Sequence, residues 1–215
     1  MGMRLFGIFY LIILTSVTIY ALNNYKIFLK SFKVLTVLLV IITVKEFLSK
    51  YVYHYNYDGN YLNHCLLTLT LILNLYIYLP QWSGNKKLKI IVSVISILFA
   101  CLAVLNSVFL QNLYLTPSNG LILLCLQMVL LSLLSFKIII NSPANESIYM
   151  KPLFWLSVSN LFFYTVVYLI FAFFHFYKEV GKIGSWLPLI LSMANCLLYI
   201  GYGISIYVHK KRINV

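Results

Sequence analysis

Seven long apolar runs, each close to the length of a transmembrane helix, limit what this chain can fold into. A helix needs about 20 apolar residues to cross the hydrocarbon core of a bilayer. The runs cover residues 5–22, 34–53, 61–79, 88–107, 121–140, 153–174 and 186–208. Because the links between them are short, we expect one domain over residues 1–215. The predicted fold is an all-α integral membrane protein, a single bundle of seven transmembrane helices.

Composition excludes the main soluble classes of protein. Hydrophobic residues make up 62% of the chain and charged residues only 9%, whereas soluble domains average about 25% charged residues. The formal net charge is +12, but Lys and Arg cluster at the ends of the apolar runs, where topology and anionic headgroups require them. We therefore expect the lipid bilayer as a partner and no nucleic acid.

The distribution of basic residues predicts the orientation. With the N-terminus outside, the cytoplasmic segments contain Lys26, Lys30, Lys33, Lys86, Lys87, Lys89, Lys137, Lys151, Lys210, Lys211 and Arg212. The outer side contains Arg4, Lys45, Lys50, Lys178 and Lys182. Since cytoplasmic links are enriched in Lys and Arg, this split of 11 to 5 predicts N-out and C-in.

Two polar stripes mark the last two runs. At about 100° per residue each stripe falls on one helix face. The stripes comprise Ser157, Asn160, Tyr164, Tyr168 and His175 in the sixth run, and Ser192, Asn195, Tyr199 and Tyr202 in the seventh. Because lipid cannot satisfy such groups, we predict that both faces point toward protein or a wet cavity.

The fourth run carries small residues at helical spacing. They are Ser93, Ser96, Ala100, Ala103 and Ser107. Small side chains let membrane helices approach closely, so this face is predicted to be a helix–helix contact.

A group of polar and aromatic residues predicts a ligand pocket that opens to the outer side. Glu46 is an acid within a span, and such groups are functional candidates; the alternative is that Glu46 pairs with Lys50 and reaches toward the surface. The proposed pocket residues are Glu46, Tyr53, His64, Tyr164, Tyr168 and His175. Glu46 supplies charge, the histidines hydrogen bonds, and the tyrosines a wall.

Other polar residues in the spans are predicted to form hydrogen bonds between helices. They are Asn63, Asn74, Gln127, Asn160, Asn195 and Tyr199. Such bonds contribute about 0.6 kcal/mol each on average. The alternative is that they line the ligand cavity.

The motifs of catalysis and metal binding do not occur in the sequence. There is no Cys-x-x-Cys, no His-x-x-x-His and no Gly-x-Ser-x-Gly, so we predict no catalytic residues, metal or cofactor. The four cysteines, Cys65, Cys101, Cys125 and Cys196, lie in predicted spans and are expected to be small buried hydrophobes.

Several positions together resemble a known group of proteins. They are Glu46, Asn63-His64, Trp155 with Asn160 and Tyr164, and Asn195-Cys-Leu-Leu-Tyr199. In these the chain is similar to small seven-helix membrane proteins of Bacteroidetes-type bacteria, some thought to accompany sensor kinases. The resemblance implies a location in the inner, cytoplasmic membrane of a bacterium and a cytoplasmic signalling partner.

These features favour a non-enzymatic receptor or sensor that binds a small molecule from the outer side. A small-solute transporter is the alternative, because mid-span polar residues are also what transport requires. An intramembrane enzyme acting on lipid is the third class, and the sequence has no motif for it.

Overall fold

A computed structural model of the chain describes residues 2–54, 60–82, 84–111, 113, 116–141, 147–173 and 186–213. Within these residues the protein is helical and contains no strand. Its long helices are α1 (Gly2–Asn23), α2 (Lys30–His54), α3 (Tyr61–Tyr78), α4 (Lys86–Leu105), α5 (Ser118–Ile140), α6 (Pro152–Ala172) and α7 (Trp186–Ile213). Each overlaps one of the seven predicted runs, so the all-helical part of the prediction is confirmed.

Among the described residues, four helical segments are long and apolar enough to cross a membrane. They are Lys86–Leu110, Ser118–Ile140, Pro152–Ala172 and Leu187–Ile213. Gly7–Asn23 and Leu62–Tyr78 are shorter apolar segments. The helix α2 differs because Lys30 and Lys33 lie in its first turn, and Lys45, Glu46 and Lys50 lie in its second half. These four segments mark the chain as a membrane protein.

Local sequence explains where several helices begin. The side-chain oxygen of Asn85 accepts a hydrogen bond from the backbone N–H of Leu88 at 3.0 Å and caps α4, a role that Asn fills well. Pro152 occupies the first turn of α6, where a missing N–H costs little. After α3 the chain continues through Pro80 as a 3₁₀ turn, Leu79–Trp82.

The helices form two compact units. The first unit contains Met1–Leu29 and Met128–Val215, and the second contains Lys30–Gln127. The first therefore includes α1, α6, α7 and most of α5, and the second includes α2, α3, α4 and the start of α5.

In the first unit, α6 and α7 pack closely in opposite directions. The Ser205 hydroxyl donates to the backbone oxygen of Pro152 at 2.7 Å. A Cβ added to Gly201 would clash with Cβ of Ser159. From the first contact to the second, the residue number rises in α6, from 152 to 159, and falls in α7, from 205 to 201. The two helices are therefore antiparallel.

Helix α1 lies parallel to α7 in the same unit. A Cβ on Gly203 would lie 3.1 Å from Cγ2 of Val17, and the Lys210 ammonium lies 5.5 Å from the centre of the Tyr20 ring. From the first contact to the second, the residue number rises in both helices, so the helices are parallel. Gly201 and Gly203 thus let α7 approach a neighbouring helix on each of two sides.

In the second unit, α4 uses its small residues for contact. The buried side chains of α4 are Val92, Ser96, Ala100 and Ala103, while large apolar neighbours such as Ile97 and Leu98 are exposed. Three of the five predicted contact residues, Ser96, Ala100 and Ala103, are therefore confirmed as buried, whereas Ser93 and Ser107 are half-buried. The large side chains are left for lipid.

Helix α5 begins parallel to α3. A Cβ on Gly120 would lie 2.9 Å from Cδ2 of Leu67, and Gln127 donates to the backbone oxygen of Leu71 at 3.0 Å. The residue number rises in both helices from the first contact to the second. Both contacts belong to the second unit.

The cysteine prediction is wrong in part. Cys125 and Cys196 are buried, whereas Cys65 and Cys101 are exposed, and all four are free thiols. The exposed pair lies on helix faces that also expose Leu62, Leu69, Leu98 and Leu102. A thiol is apolar enough for such a lipid-facing surface.

Candidate functional site

Uncharged polar side chains gather where α3 begins, α4 ends and α5 begins. We call this group the helix-end network. Its members are Asn60, Asn63, His64, Asn106, Ser107, Gln111, Thr116, Ser118 and Asn119. All belong to the second compact unit.

The imidazole of His64 is a buried part of the network. It is 4% exposed, and its Nδ1 lies 2.7 Å from the Ser107 hydroxyl oxygen. That hydroxyl also bonds the backbone oxygen of Ala103 at 2.9 Å. A hydroxyl has a single hydrogen, so when Ser107 donates to Ala103 the Nδ1 of His64 must be the donor. In the neutral ring, Nε2 is then an acceptor.

A π-helical turn carries the next part of the network. The backbone N–H of Gln111 donates to the oxygen of Asn106 at 2.8 Å, which closes the segment Asn106–Leu110. The buried Asn106 amide donates to Gln111 Oε1 at 2.8 Å, and its Oδ1 accepts from Asn119 at 3.0 Å. Single π turns are rare and recur at functional sites.

Gln111 completes the link between α4 and α5. Its Nε2 donates to the backbone oxygen of Thr116 at 2.6 Å and to the Ser118 hydroxyl at 3.1 Å. One side chain therefore holds the start of α5 while its Oε1 holds Asn106. The result is a set of amides and hydroxyls that fixes three helix ends.

The network consists mainly of uncharged hydrogen-bonding groups. His64 is its one titratable member, and the other members offer amide or hydroxyl groups. Such groups fix the orientation of a ligand through hydrogen bonds. Within the described residues no three His, Cys, Asp or Glu side chains lie close enough to hold a metal ion.

Glu46, the predicted charge of the pocket, forms an ion pair with its neighbour. Its Oε1 lies 2.9 Å from the Lys45 ammonium, and the two side chains are 21% and 28% exposed. Pairs of this kind contribute about 0–1 kcal/mol when solvated. The proposed alternative partner Lys50, and also Tyr53, lie late in α2, and their side chains are outside the described part.

The remaining pocket residues belong to α6 and the residues after it. Tyr164 is buried and meets Phe163 edge to face, with ring centres 5.0 Å apart. Tyr168 is half-buried, and His175 lies outside the described residues. Tyr164 and Tyr168 are in the first unit, whereas Glu46, Tyr53 and His64 are in the second. Their grouping into one pocket stays a prediction.

Two of the predicted inter-helix residues bond across helices. Asn160 of α6 accepts a 2.6 Å hydrogen bond from the Tyr202 hydroxyl of α7, and both side chains are buried. Gln127 of α5 donates to the backbone of Leu71 in α3. Each bond joins residues that are distant in sequence.

The other four predicted inter-helix residues are Asn63, Asn74, Asn195 and Tyr199, and their surroundings are as follows. Asn63 donates to Asn60 at 2.7 Å, and Asn195 donates to the oxygen of Leu191 one turn back. The buried Tyr199 ring lies 6.3 Å from the ring of Tyr202 at 78°. Asn74 is 1% exposed.

Sequence reasoning missed most of the helix-end network. Asn106, Gln111 and Asn119 were not proposed, and Ser107 was proposed only as a small contact residue. The available signal was the concentration of uncharged polar residues between 106 and 119 in a link without Lys or Arg.

Comparison of the chain with protein-family models, with curated proteins and with solved structures gives no match.

Proposed function

We propose that this protein is a seven-span receptor or sensor of a bacterial inner membrane, N-out and C-in. It binds a small polar molecule at the helix-end network and passes a change to a cytoplasmic partner. The family resemblance, with its implied signalling partner, is part of this proposal.

Helix directions support the seven-span topology. A chain that crosses a membrane at every helix must alternate in direction, so odd-numbered helices are parallel to one another. Helix α1 is parallel to α7, and α3 to α5, while α6 is antiparallel to α7. In this topology the short apolar segment of α1 and the charged α2 also cross the membrane. Neighbouring helices cover them, and the lysines of α2 extend their charged ends toward the membrane surface.

The observation that carries the proposal is the contact between the buried His64 and Ser107, a residue of the π turn Asn106–Leu110. With the N-terminus outside, this network lies at the outer face. Helix α4 runs from there to Lys86, Lys87 and Lys89 at the cytoplasmic side. A ligand that replaces one network bond therefore biases the end of a helix whose other end offers a basic contact surface.

Ser107 and Ser93 provide a matched pair of variants for the test. Each hydroxyl bonds the backbone oxygen four residues back in α4, at 2.9 Å and 2.8 Å, but Ser107 also contacts His64. We expect a library of small polar molecules to contain one that raises the melting temperature of the purified protein. Ser107→Ala abolishes that shift and Ser93→Ala preserves it; equal shifts in both variants exclude the network as the site.

A transporter is the second candidate because α3 and α5 carry the buried amides of Asn74 and Gln127, and polar groups inside the spans are what transport requires. Proteoliposomes loaded with the stabilising molecule distinguish the two functions. A receptor shows binding without accumulation. Saturable uptake that Asn160→Leu abolishes would establish transport instead.

A further inference from the structure

Two buried amides in the second unit each have an atom without a hydrogen-bond partner. Asn74 of α3 is 1% exposed and Gln127 of α5 is 2% exposed. Among the described residues, Nδ2 of Asn74 and Oε1 of Gln127 are unpaired. One is a donor and the other an acceptor.

The two amides lie at the same level of the unit. Nε2 of Gln127 donates to the backbone oxygen of Leu71 at 3.0 Å. In an α-helix the carbonyl of residue 71 points toward residues 74 and 75, and residues 71 and 74 share a face. The amide of Gln127 therefore reaches α3 beside Asn74.

An unpaired donor and an unpaired acceptor are costly in this setting. Lipid cannot satisfy either group, and a buried polar atom without a partner destabilises the fold. The missing bonds are complementary, and both amides reach the same turn of α3. A single small molecule with one acceptor and one donor can therefore satisfy both.

We propose that Asn74 and Gln127 bind a neutral hydroxyl group. A hydroxyl accepts from Nδ2 of Asn74 and donates to Oε1 of Gln127, which no purely anionic or cationic group can do. The charge pattern agrees, because α3 contains no charged residue and Lys137, the one charged residue of α5, lies nearly three turns beyond Gln127. The hydroxyl is that of a water molecule or of a small polyol.

This inference goes beyond the proposed receptor site, which lies in the helix-end network. It holds for a receptor and for a transporter alike. A negative result in the Ser107→Ala test would therefore not contradict the hydroxyl site. Likewise, a negative result at Asn74 and Gln127 would not contradict the receptor proposal.

The first test is a double-variant cycle measured by thermal or denaturant unfolding in detergent. Asn74→Leu and Gln127→Met each leave the other group unpaired, whereas the double variant removes both. We expect the effects on the unfolding equilibrium to be non-additive by at least about threefold. Asn195→Leu is the control, because its amide bonds locally to Leu191 in the first unit, and it should combine additively with Gln127→Met. Additive effects of Asn74→Leu and Gln127→Met, to within about twofold, would overturn the proposal.

The second test identifies the source of the hydroxyl. Glycerol, sorbitol and glucose are titrated against the native protein and the double variant while melting temperature is recorded. A rise in the native protein alone assigns a polyol. With equal polyol responses, a non-additive cycle assigns water if a map that resolves waters shows density between the two amides; if it shows none, the amides bond each other directly and the proposal is refuted. If the double variant does not fold, the native protein decides: a cryo-EM map that resolves waters must show density between Asn74 and Gln127, and its absence refutes the site.

Discussion

The bond between Tyr202 and Asn160 is the clearest single contribution to the α6–α7 contact. Its length is 2.6 Å and both side chains are almost fully buried. Tyr202→Phe removes the donor and keeps the ring. We expect the unfolding free energy to fall by about 1–2 kcal/mol. Hydrogen bonds in membrane proteins average about 0.6 kcal/mol, and the loss of the Tyr202 donor adds the cost of keeping the Asn160 oxygen buried without that bond. Unfolding in mixed detergent measures it.

Tyr207→Phe is the control for the preceding variant. Tyr207 lies on the same helix, but its side chain is 58% exposed. The Tyr207→Phe variant should therefore be as stable as the native protein. If Tyr202→Phe is as stable as this control, the bond contributes nothing to the α6–α7 contact.

Residue spacing could predict faces but not partners. The stripe that contains Asn160 and the stripe that contains Tyr202 were each read from a 3.6-residue period, and the two residues meet in the structure. The contact of His64 with Ser107 joins positions 43 apart in sequence. Periodicity within one helix has no information about the helix opposite, so this contact required the fold.

Helices α6 and α7 approach closely at Gly201. A Cβ there would clash with the Cβ of Ser159 and lie 2.7 Å from its hydroxyl oxygen. Gly201→Ala should therefore force α6 and α7 apart and cost about 1–3 kcal/mol. Melting temperature in detergent records the loss.

Two further variants separate crowding from helix propensity. Gly7 of α1 has no atom within 4 Å of an added Cβ, so Gly7→Ala should be neutral or stabilise by up to about 1 kcal/mol. Ser159→Gly combined with Gly201→Ala removes the facing Cβ and should recover most of the loss. A double variant no better than Gly201→Ala would show that the crowding lies elsewhere.

Helix α4 allows a neighbouring-residue comparison. Ala100 is buried on the small face, whereas Cys101 beside it is exposed. Ala100→Leu should lower the melting temperature because the added carbons displace a neighbouring helix, at a cost of about 1–3 kcal/mol. Cys101→Leu adds similar volume on the exposed face and should leave the melting temperature unchanged. Equal effects would contradict the assignment of the contact face.

Hydropathy predicted the helices better than their ends. The fourth run was predicted to end at Ser107, whereas the α-helix ends at Leu105 and continues as the π segment Asn106–Leu110. The hydropathy of Val108, Phe109 and Leu110 does not distinguish an α from a π turn. The difference comes from the Asn106–Gln111 and Asn106–Asn119 bonds, which depend on how the link to α5 folds back.

At the scale of the whole chain, the orientation rests on the charge split of 11 to 5. The receptor proposal depends on it, because N-out places the helix-end network at the outer face and the Lys86–Lys89 segment at the cytoplasmic face. Inverting the protein would exchange these two surfaces. The same sites would then serve a cytoplasmic ligand.

A pair of fusions tests this orientation. Green fluorescent protein, which folds in the cytoplasm but not after export by the general secretory route, is fused after Val215; alkaline phosphatase, active only outside, is fused to a chain that ends at Gly59. Since basic links remain in the cytoplasm, both fusions should be active. Exchanging the two reporters between the positions is the control and should silence both. Phosphatase activity after Val215 with fluorescence after Gly59 would invert the topology and place the His64–Ser107 network at the cytoplasmic face.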